Sequence, residues 1–223
     1  MKNYVDSLSL YKDKLLYILL FGVTIAFPLF FINQFVSTFY YNLFATVGIS
    51  ELGSYPQFIF STITIFISQI PFIYLVKSKL IEEETSISEG YRVFFEHMLP
   101  VYVVGAIIAI LVTLGTVLFI VPGLILLMLF ILYPYVVVFE GESWFNGLKR
   151  AFQVGKTRLF QVMGVTFLLS ILTMLMNFVT LFLSLYTLDN LFLINIIQLI
   201  FNMFILPYLT FVVGHYYYDW EVY

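Results

Sequence analysis

The chain contains no cysteine. Disulfides, thiolate metal sites and cysteine nucleophiles are thereby excluded, and redox chemistry says nothing about the compartment. Charge is also scarce. Asp, Glu, Lys and Arg make up 10% of the 223 residues, against about a quarter in a soluble domain. The net charge of −3 gives no argument for a nucleic-acid partner. The two histidines, His97 and His215, stand singly at expected interfaces. No H-E-x-x-H, G-x-S-x-G or phosphate-binding glycine loop occurs. Glu82, Glu83 and Glu84 with Glu140 and Glu142 either gather to bind a cation or form a solvated acidic loop. The sequence therefore points away from an enzyme, and it implies no cofactor and no metal.

What is abundant is apolar. Hydrophobic residues are 62% of the chain and the mean hydropathy is +1.02, a surplus that only lipid can cover. Six segments are long and apolar enough to cross a bilayer, at roughly 20 residues each. They lie at 15–38, 56–76, 100–120, 122–139, 159–185 and 191–214. Backbone groups in hydrocarbon must be bonded within the segment, so these spans are helices. The first resembles a signal peptide in having Lys2, Lys12 and Lys14 before an apolar run. That run is too long, and no small-residue cleavage pattern follows it. It is read as a retained span.

All ten basic residues then fall on one side. Lys2, Lys12 and Lys14 precede the first span. Lys77, Lys79 and Arg92 lie between the second and third, and Lys149, Arg150, Lys156 and Arg158 between the fourth and fifth. The connections at 39–55, 121–123 and 186–190 carry none. Positive loops stay cytoplasmic, so both termini are expected inside a bacterial plasma membrane. Pro122 and Gly123 suit the centre of a type II turn between the third and fourth spans.

Three amphipathic segments sit on the expected cytoplasmic side. Residues 85–99 carry Ile87, Tyr91, Phe94, Phe95 and Met98 on one face, with Ser86 and Glu89 at capping-box spacing. Residues 142–158 carry the apolar stripe Trp144, Leu148, Ala151 and Phe152. Residues 4–14 are a weaker version, with Leu8, Tyr11 and Leu15. Such helices either lie in the interface, where Lys149, Lys156 and Arg158 would meet anionic lipid headgroups, or pack beneath the bundle. The fold class expected is an all-α integral membrane protein: six transmembrane helices in three tandem helical hairpins, each preceded by a cytoplasmic amphipathic helix. The repeat units are about 1–77, 78–139 and 140–218. SISEGYRVFF (86–95) aligns with SWFNGLKRAF (143–152). Each unit's second span carries a proline before an aromatic, at Pro71, Pro134 and Pro207, where the helix either hinges or is merely kinked.

Polar residues recur inside the spans. The fifth has Thr166, Ser170, Thr173, Asn177, Thr180, Ser184 and Thr187 at spacings of three and four. The second has Gln57, Ser61, Thr64 and Ser68, with Gln69 beside them. The sixth has Asn195, Gln198 and Asn202, and the third offers Gly105, Ala109 and Thr113. These residues either glue helices together or line a common groove, whose candidates are Ser68, Gln69, Thr173, Asn177, Thr180, Asn195, Gln198 and Asn202. No charged residue lies deep in a span, which speaks against ion-coupled transport. At the end of the fourth span, Glu140 is expected to pair with Arg150 on the helix that follows and so fix the junction.

The stretch 119–160 contains V-P-G, an apolar run, a proline six residues before Glu-Gly, and then G-L-K-R-A-F-x-x-x-K-x-R-L-F. It resembles the YciC-like bacterial membrane proteins and the membrane domain fused to some glycerophosphodiester phosphodiesterases. The positions that match are Pro122, Gly123, Pro134, Glu140, Gly141, Leu148, Arg150, Phe152 and Lys156. The chain departs at Gly147, Ala151 and Thr157, where the family often has Ala, Ser and Gly. The resemblance covers about a fifth of the chain and implies a non-catalytic membrane unit. The function expected is a non-enzymatic protein that binds or organises lipid, or binds an amphiphilic peptide or small hydrophobic ligand, in envelope homeostasis or self-protection. The alternative is a permease or the membrane subunit of a transporter, with a partner protein such as an ATPase. Oligomeric state is not legible.

Overall fold

The computed structural model describes residues 2–186 and 191–222; the side chains at 50, 172, 176, 177, 180, 181, 183–186, 191–193, 221 and 222 lie outside that description. Among the described residues every regular element is a helix and none is a strand. The helices are α1 (Lys2–Asp13), α2 (Leu15–Phe21), α3 (Phe27–Thr46), α4 (Ser54–Leu80) and α5 (Ile87–Leu118). They continue with α6 (Ile120–Phe130), α7 (Tyr133–Glu140), α8 (Trp144–Thr157), α9 (Leu159–Tyr186) and α10 (Leu191–Val222). Among the described residues five segments are long and apolar enough to cross a membrane: Leu15–Thr46, Glu51–Leu80, Ile87–Leu118, Ile120–Glu140 and Ile194–Trp220. A sixth joins when α8 and the start of α9, bent by 89° at their junction, are taken together. By the length and composition of its helices this is a multi-pass membrane protein.

The first span is longer than its apolar core requires. A π-helical turn, Gly22–Ala26, links α2 to α3, with the Phe27 N–H bonded to the Gly22 carbonyl. The widened turn stands just before Pro28, which has no N–H and crowds the turn behind it. The helix then runs past the expected end at residue 38. Tyr40 stacks on Phe60 of α4 at 5.6 Å, and left-handed Gly48 (φ 78°) follows the last turn.

α4 is the centre of the bundle. From Phe66 to Val76 only Gln69 escapes burial. It packs against α3, α5, α7 and α10. Pro71 and Pro207 lie inside continuous helices, α4 and α10. Pro134 differs, because it opens α7 after a break at residues 131 and 132. Without its N–H the ladder restarts with Tyr135 N–H on the Leu132 carbonyl.

Four sequence expectations change here. Residues 85–99 are not a separate helix, since α5 runs unbroken through Pro100. Phe94 is buried, Phe95 is 66% exposed, and buried Gly90 faces the Phe21 ring. The capping box does not form. Ser86 is the N-cap residue without a side-chain cap; its N–H donates to the Tyr74 hydroxyl, and Glu89 pairs instead with Arg92 at 2.7 Å. Pro122 and Gly123 are not the turn between the third and fourth spans. The turn is one extended residue, Phe119 (φ −155°), and Pro122 and Gly123 form the first turn of α6. A proline there loses no helix bond. Gly123 lets α6 meet α5, for a Cβ at that position would stand 2.6 Å from the Thr116 backbone nitrogen.

The fourth change concerns α1 and α8. In α1 the inward face is Ser7 and Leu10, while Leu8 and Leu15 are about half exposed. α1 packs along the end of α10: Ser7 Oγ lies 3.0 Å from His215 Nδ1, Asn3 donates to Asp219, and the Tyr11 hydroxyl donates to the Phe204 carbonyl. Burial raises the pKa of the Tyr11 hydroxyl, which keeps it a donor there. In α8 the inward face is Gly147, Ala151, Val154 and Gly155, while Trp144, Phe145 and Phe152 stay exposed. Large aromatics cannot occupy a contact made backbone to backbone. A Cβ on Gly155 would lie 2.3 Å from the Leu129 carbonyl oxygen.

Candidate functional site

A cavity of about 650 Å³ lies between α3, α4, α9 and α10, with α7 and the end of α6 closing one end. α4 contributes Ser61 and Gln69. α9 contributes Thr166, Ser170 and Thr173, three successive positions on one face. α10 contributes Gln198, Asn202 and Thr210, and α7 contributes Tyr135. Apolar side chains fill the intervals, among them Phe30, Ile65, Leu169, Met174 and Leu206. Among the described residues no Asp, Glu, Lys, Arg or His belongs to the lining.

Most hydroxyls here have already spent their proton. Ser170 donates to the Thr166 carbonyl, Thr173 to Leu169 and Thr210 to Leu206, at 2.8–3.0 Å. The Tyr135 hydroxyl donates to the Thr210 carbonyl at 3.3 Å. Their oxygens retain lone pairs only. The amides differ. Among the described residues Gln69, Gln198 and Asn202 make no hydrogen bond within the protein. Asn33 donates to Ser61 Oγ at 3.2 Å and leaves Oδ1 buried without a partner. The lining thus offers amide donors together with amide and hydroxyl acceptors, all uncharged.

Of the groove candidates read from the sequence, Gln69, Thr173, Gln198 and Asn202 line this one cavity. Ser68 does not; it is fully buried and donates to the Thr64 carbonyl. It sits one residue from Gln69, about 100° around the helix, so the two cannot face the same space. Asn195 is half-buried and outside the lining. The side chains of Asn177 and Thr180 lie outside the described residues. Asn33, Tyr135 and Thr210 were missed. Adjacent amides, Asn33 and Gln34, with Ser37 one turn on, were the available signal for Asn33 in the first span.

A second group of residues gathers at the end of the bundle that carries the basic residues. Arg150 Nε is 2.8 Å from Glu140 Oε2. The Tyr217 hydroxyl donates to the other carboxylate oxygen, Oε1. Left-handed Gly141 (φ 74°) caps α7 and turns the chain back towards α8. Glu140 is engaged in this pair, and no group of three or more residues that could hold a metal ion forms among the described residues. A polar cleft of about 270 Å³ holds Glu83, Glu84, Glu89 and Glu96 beside Lys77, Arg92 and His97. Lys77 Nζ donates to the Val138 carbonyl at 2.8 Å. Of the proposed headgroup contacts, Lys149 and Lys156 are exposed, whereas Arg158 is half-buried and donates to the Trp220 carbonyl at 3.4 Å.

Comparison with protein-family models, curated proteins and solved structures finds no match.

Proposed function

We propose that this chain is a non-enzymatic protein of the bacterial plasma membrane that binds an uncharged amphiphile in the groove between α3, α4, α9 and α10. One observation carries the reading. Four amides, Asn33, Gln69, Gln198 and Asn202, converge on one apolar-walled cavity of about 650 Å³, within the size range of ligand sites. An amide at membrane depth without a protein partner is costly, and a bound polar group would offset that cost. The lack of charge in the lining fits a neutral ligand and gives acid–base chemistry no group to use. The resemblance of 119–160 to YciC-like proteins supports the bacterial setting and the non-catalytic role.

In this reading the spans form three tandem hairpins, α2–α4, α5–α7 and α9–α10. α8 lies in the membrane interface, since it meets α9 at 89° and keeps Trp144, Phe145, Lys149 and Lys156 outward. Its lysines contact anionic headgroups. A second reading, a permease working with a partner chain, draws on one observation: among the described residues a separate small cluster, Val165 and Leu169 against Val212, joins α9 to α10, so the groove's wall is built apart from the main core.

The test is native mass spectrometry of the full chain released from its own membranes. The expected result is a retained neutral amphiphile whose occupancy drops about tenfold in Gln69→Leu/Asn202→Leu, as roughly 0.5–1 kcal/mol is lost with each of the two hydrogen bonds. Equal occupancy in the variant would retire the groove. Orientation has its own test. A cysteine at Glu51 should react with an impermeant maleimide from outside intact cells, and one at Glu83 only after permeabilisation. Labelling of position 83 in intact cells would invert or break the topology.

A further inference from the structure

The polar groups of the groove are strung along it. On α10 they run from Gln198 to Thr210. The lining reaches Val213, fifteen residues on, or about 22 Å of helix. On α9 the series Thr166, Ser170 and Thr173 covers two turns, and on α4 Ser61 and Gln69 are two turns apart. A lipid has one polar end and bare chains. Laid in this groove it would satisfy one group and set hydrocarbon against the others. A ligand that satisfies the whole row must present polar groups at intervals along an apolar body.

The balance of donors and acceptors narrows the class further. The hydroxyls of Ser170, Thr173, Thr210 and Tyr135 keep acceptor capacity only, and the Asn33 carbonyl oxygen is buried without a partner. The amide NH₂ groups of Gln69, Gln198 and Asn202 supply donors. Ester or ether oxygens answer the donors and leave the acceptors unmet. Peptide groups supply one N–H and one C=O per residue. An extended peptide rises about 3.3 Å per residue, so about seven residues span the groove. With no charge in the lining, such a segment must itself be uncharged.

We infer that the groove takes an extended, uncharged, apolar peptide segment, read through its backbone by Asn33, Gln69, Gln198 and Asn202. This rests on the groove being the binding site. The occupant is identified by chemistry: a membrane-soluble peptide whose side chains lie against Ile65, Leu206 and their neighbours while its amides meet the polar row.

The experiment uses the full chain in phosphatidylcholine nanodiscs. The probe is a seven-residue peptide of leucine and alanine with one diazirine-bearing residue, acetylated and amidated so that it carries no charge. The expected result is photolabelling of α4, α9 and α10 at the groove, about tenfold weaker in Gln69→Leu/Asn202→Leu. The same peptide with alternate amides N-methylated should also label about tenfold less. N-methylation makes the probe more apolar, so simple partition into lipid would change labelling in the other direction. Groove labelling indifferent to both changes overturns the proposal. Labelling of the groove by a diazirine-bearing diacylglycerol but not by the peptide overturns the peptide class and leaves the groove as a site. No labelling of the groove by either probe overturns both readings.

Discussion

Gly155→Ala is expected to destabilise the protein by about 1–3 kcal/mol, the usual cost of overpacking a well-filled contact. The same change at Gly164, nine residues further on, should stabilise it by about 0.5–1 kcal/mol. The two glycines sit in adjacent helices and differ in what a methyl group would meet. At Gly155 the new Cβ falls 2.3 Å from the Leu129 carbonyl oxygen and 2.8 Å from that residue's carbonyl carbon and Cα. These are backbone atoms of α6, so no rotamer change relieves the clash and α8 must move as a body. Phe152 would be pulled from Phe130, whose ring lies 5.8 Å away, and buried Val154 would be drawn outward with it. At Gly164 nothing lies within 4 Å of the added carbon. There only the lost freedom of the unfolded chain and the higher helix propensity of alanine count. Thermal unfolding of the two variants in one detergent, followed by tryptophan fluorescence, gives the signs directly. A Gly155→Ala protein that melts at or above the parent temperature would show that α8 is not seated on α6.

The same contact explains what could be read from the sequence and what could not. Apolar runs and the segregation of Lys and Arg are properties of long stretches, and the spans they mark are helices in the structure. Polar spacing on α9 and α10 was also legible, because three- and four-residue steps fix a face whatever the neighbours are. Which face meets which neighbour was harder. In α8 the sequence reads Trp144, Leu148, Ala151 and Phe152 as the apolar stripe without fixing what it meets. The structure buries Ala151 of that stripe together with Gly147 and Gly155 and leaves Trp144 and Phe152 exposed, for close helix contact selects for small size and not for hydrophobicity. Pro100 was read as a boundary, yet α5 passes through it. A proline removes one bond from a helix that packing against α4 already holds. Asn33 has Ser37 one turn on in its own span, but gains meaning only beside Ser61 of α4. Contacts such as Ser7 with His215, which join the two ends of the chain, leave no local trace in the sequence.

The pair at the end of α7 gives a prediction in which two double mutants deviate in opposite directions. Glu140 accepts from Arg150 through Oε2 and from Tyr217 through Oε1. The side chains of Arg150 and Glu140 are 36% and 25% exposed, so water screens the pair in part. Each single loss should therefore cost about 1–2 kcal/mol, below the range for a fully buried pair. Glu140→Gln leaves Arg150 without this carboxylate, and Arg150→Gln leaves the carboxylate leaning on Tyr217 alone. Removing both charges together leaves neither unmatched, so the double variant should fall short of the sum by about 0.5–1 kcal/mol. Tyr217→Phe combined with Arg150→Gln is the reverse case. Each partner serves a different oxygen, and while one remains the carboxylate keeps a donor. Losing both strands a half-desolvated charge at the junction of α7, α8 and α10, so that double should exceed its sum. A helix packing effect alone would give one sign throughout, because Tyr217 also lies against Phe139 and Tyr135. Melting of the four single and double combinations in detergent, with Tyr217→Phe as the fifth protein, separates the cases. Additivity in both cycles would reduce Glu140 and Arg150 to two independently solvated charges, and the same sign in both would assign the effect to packing.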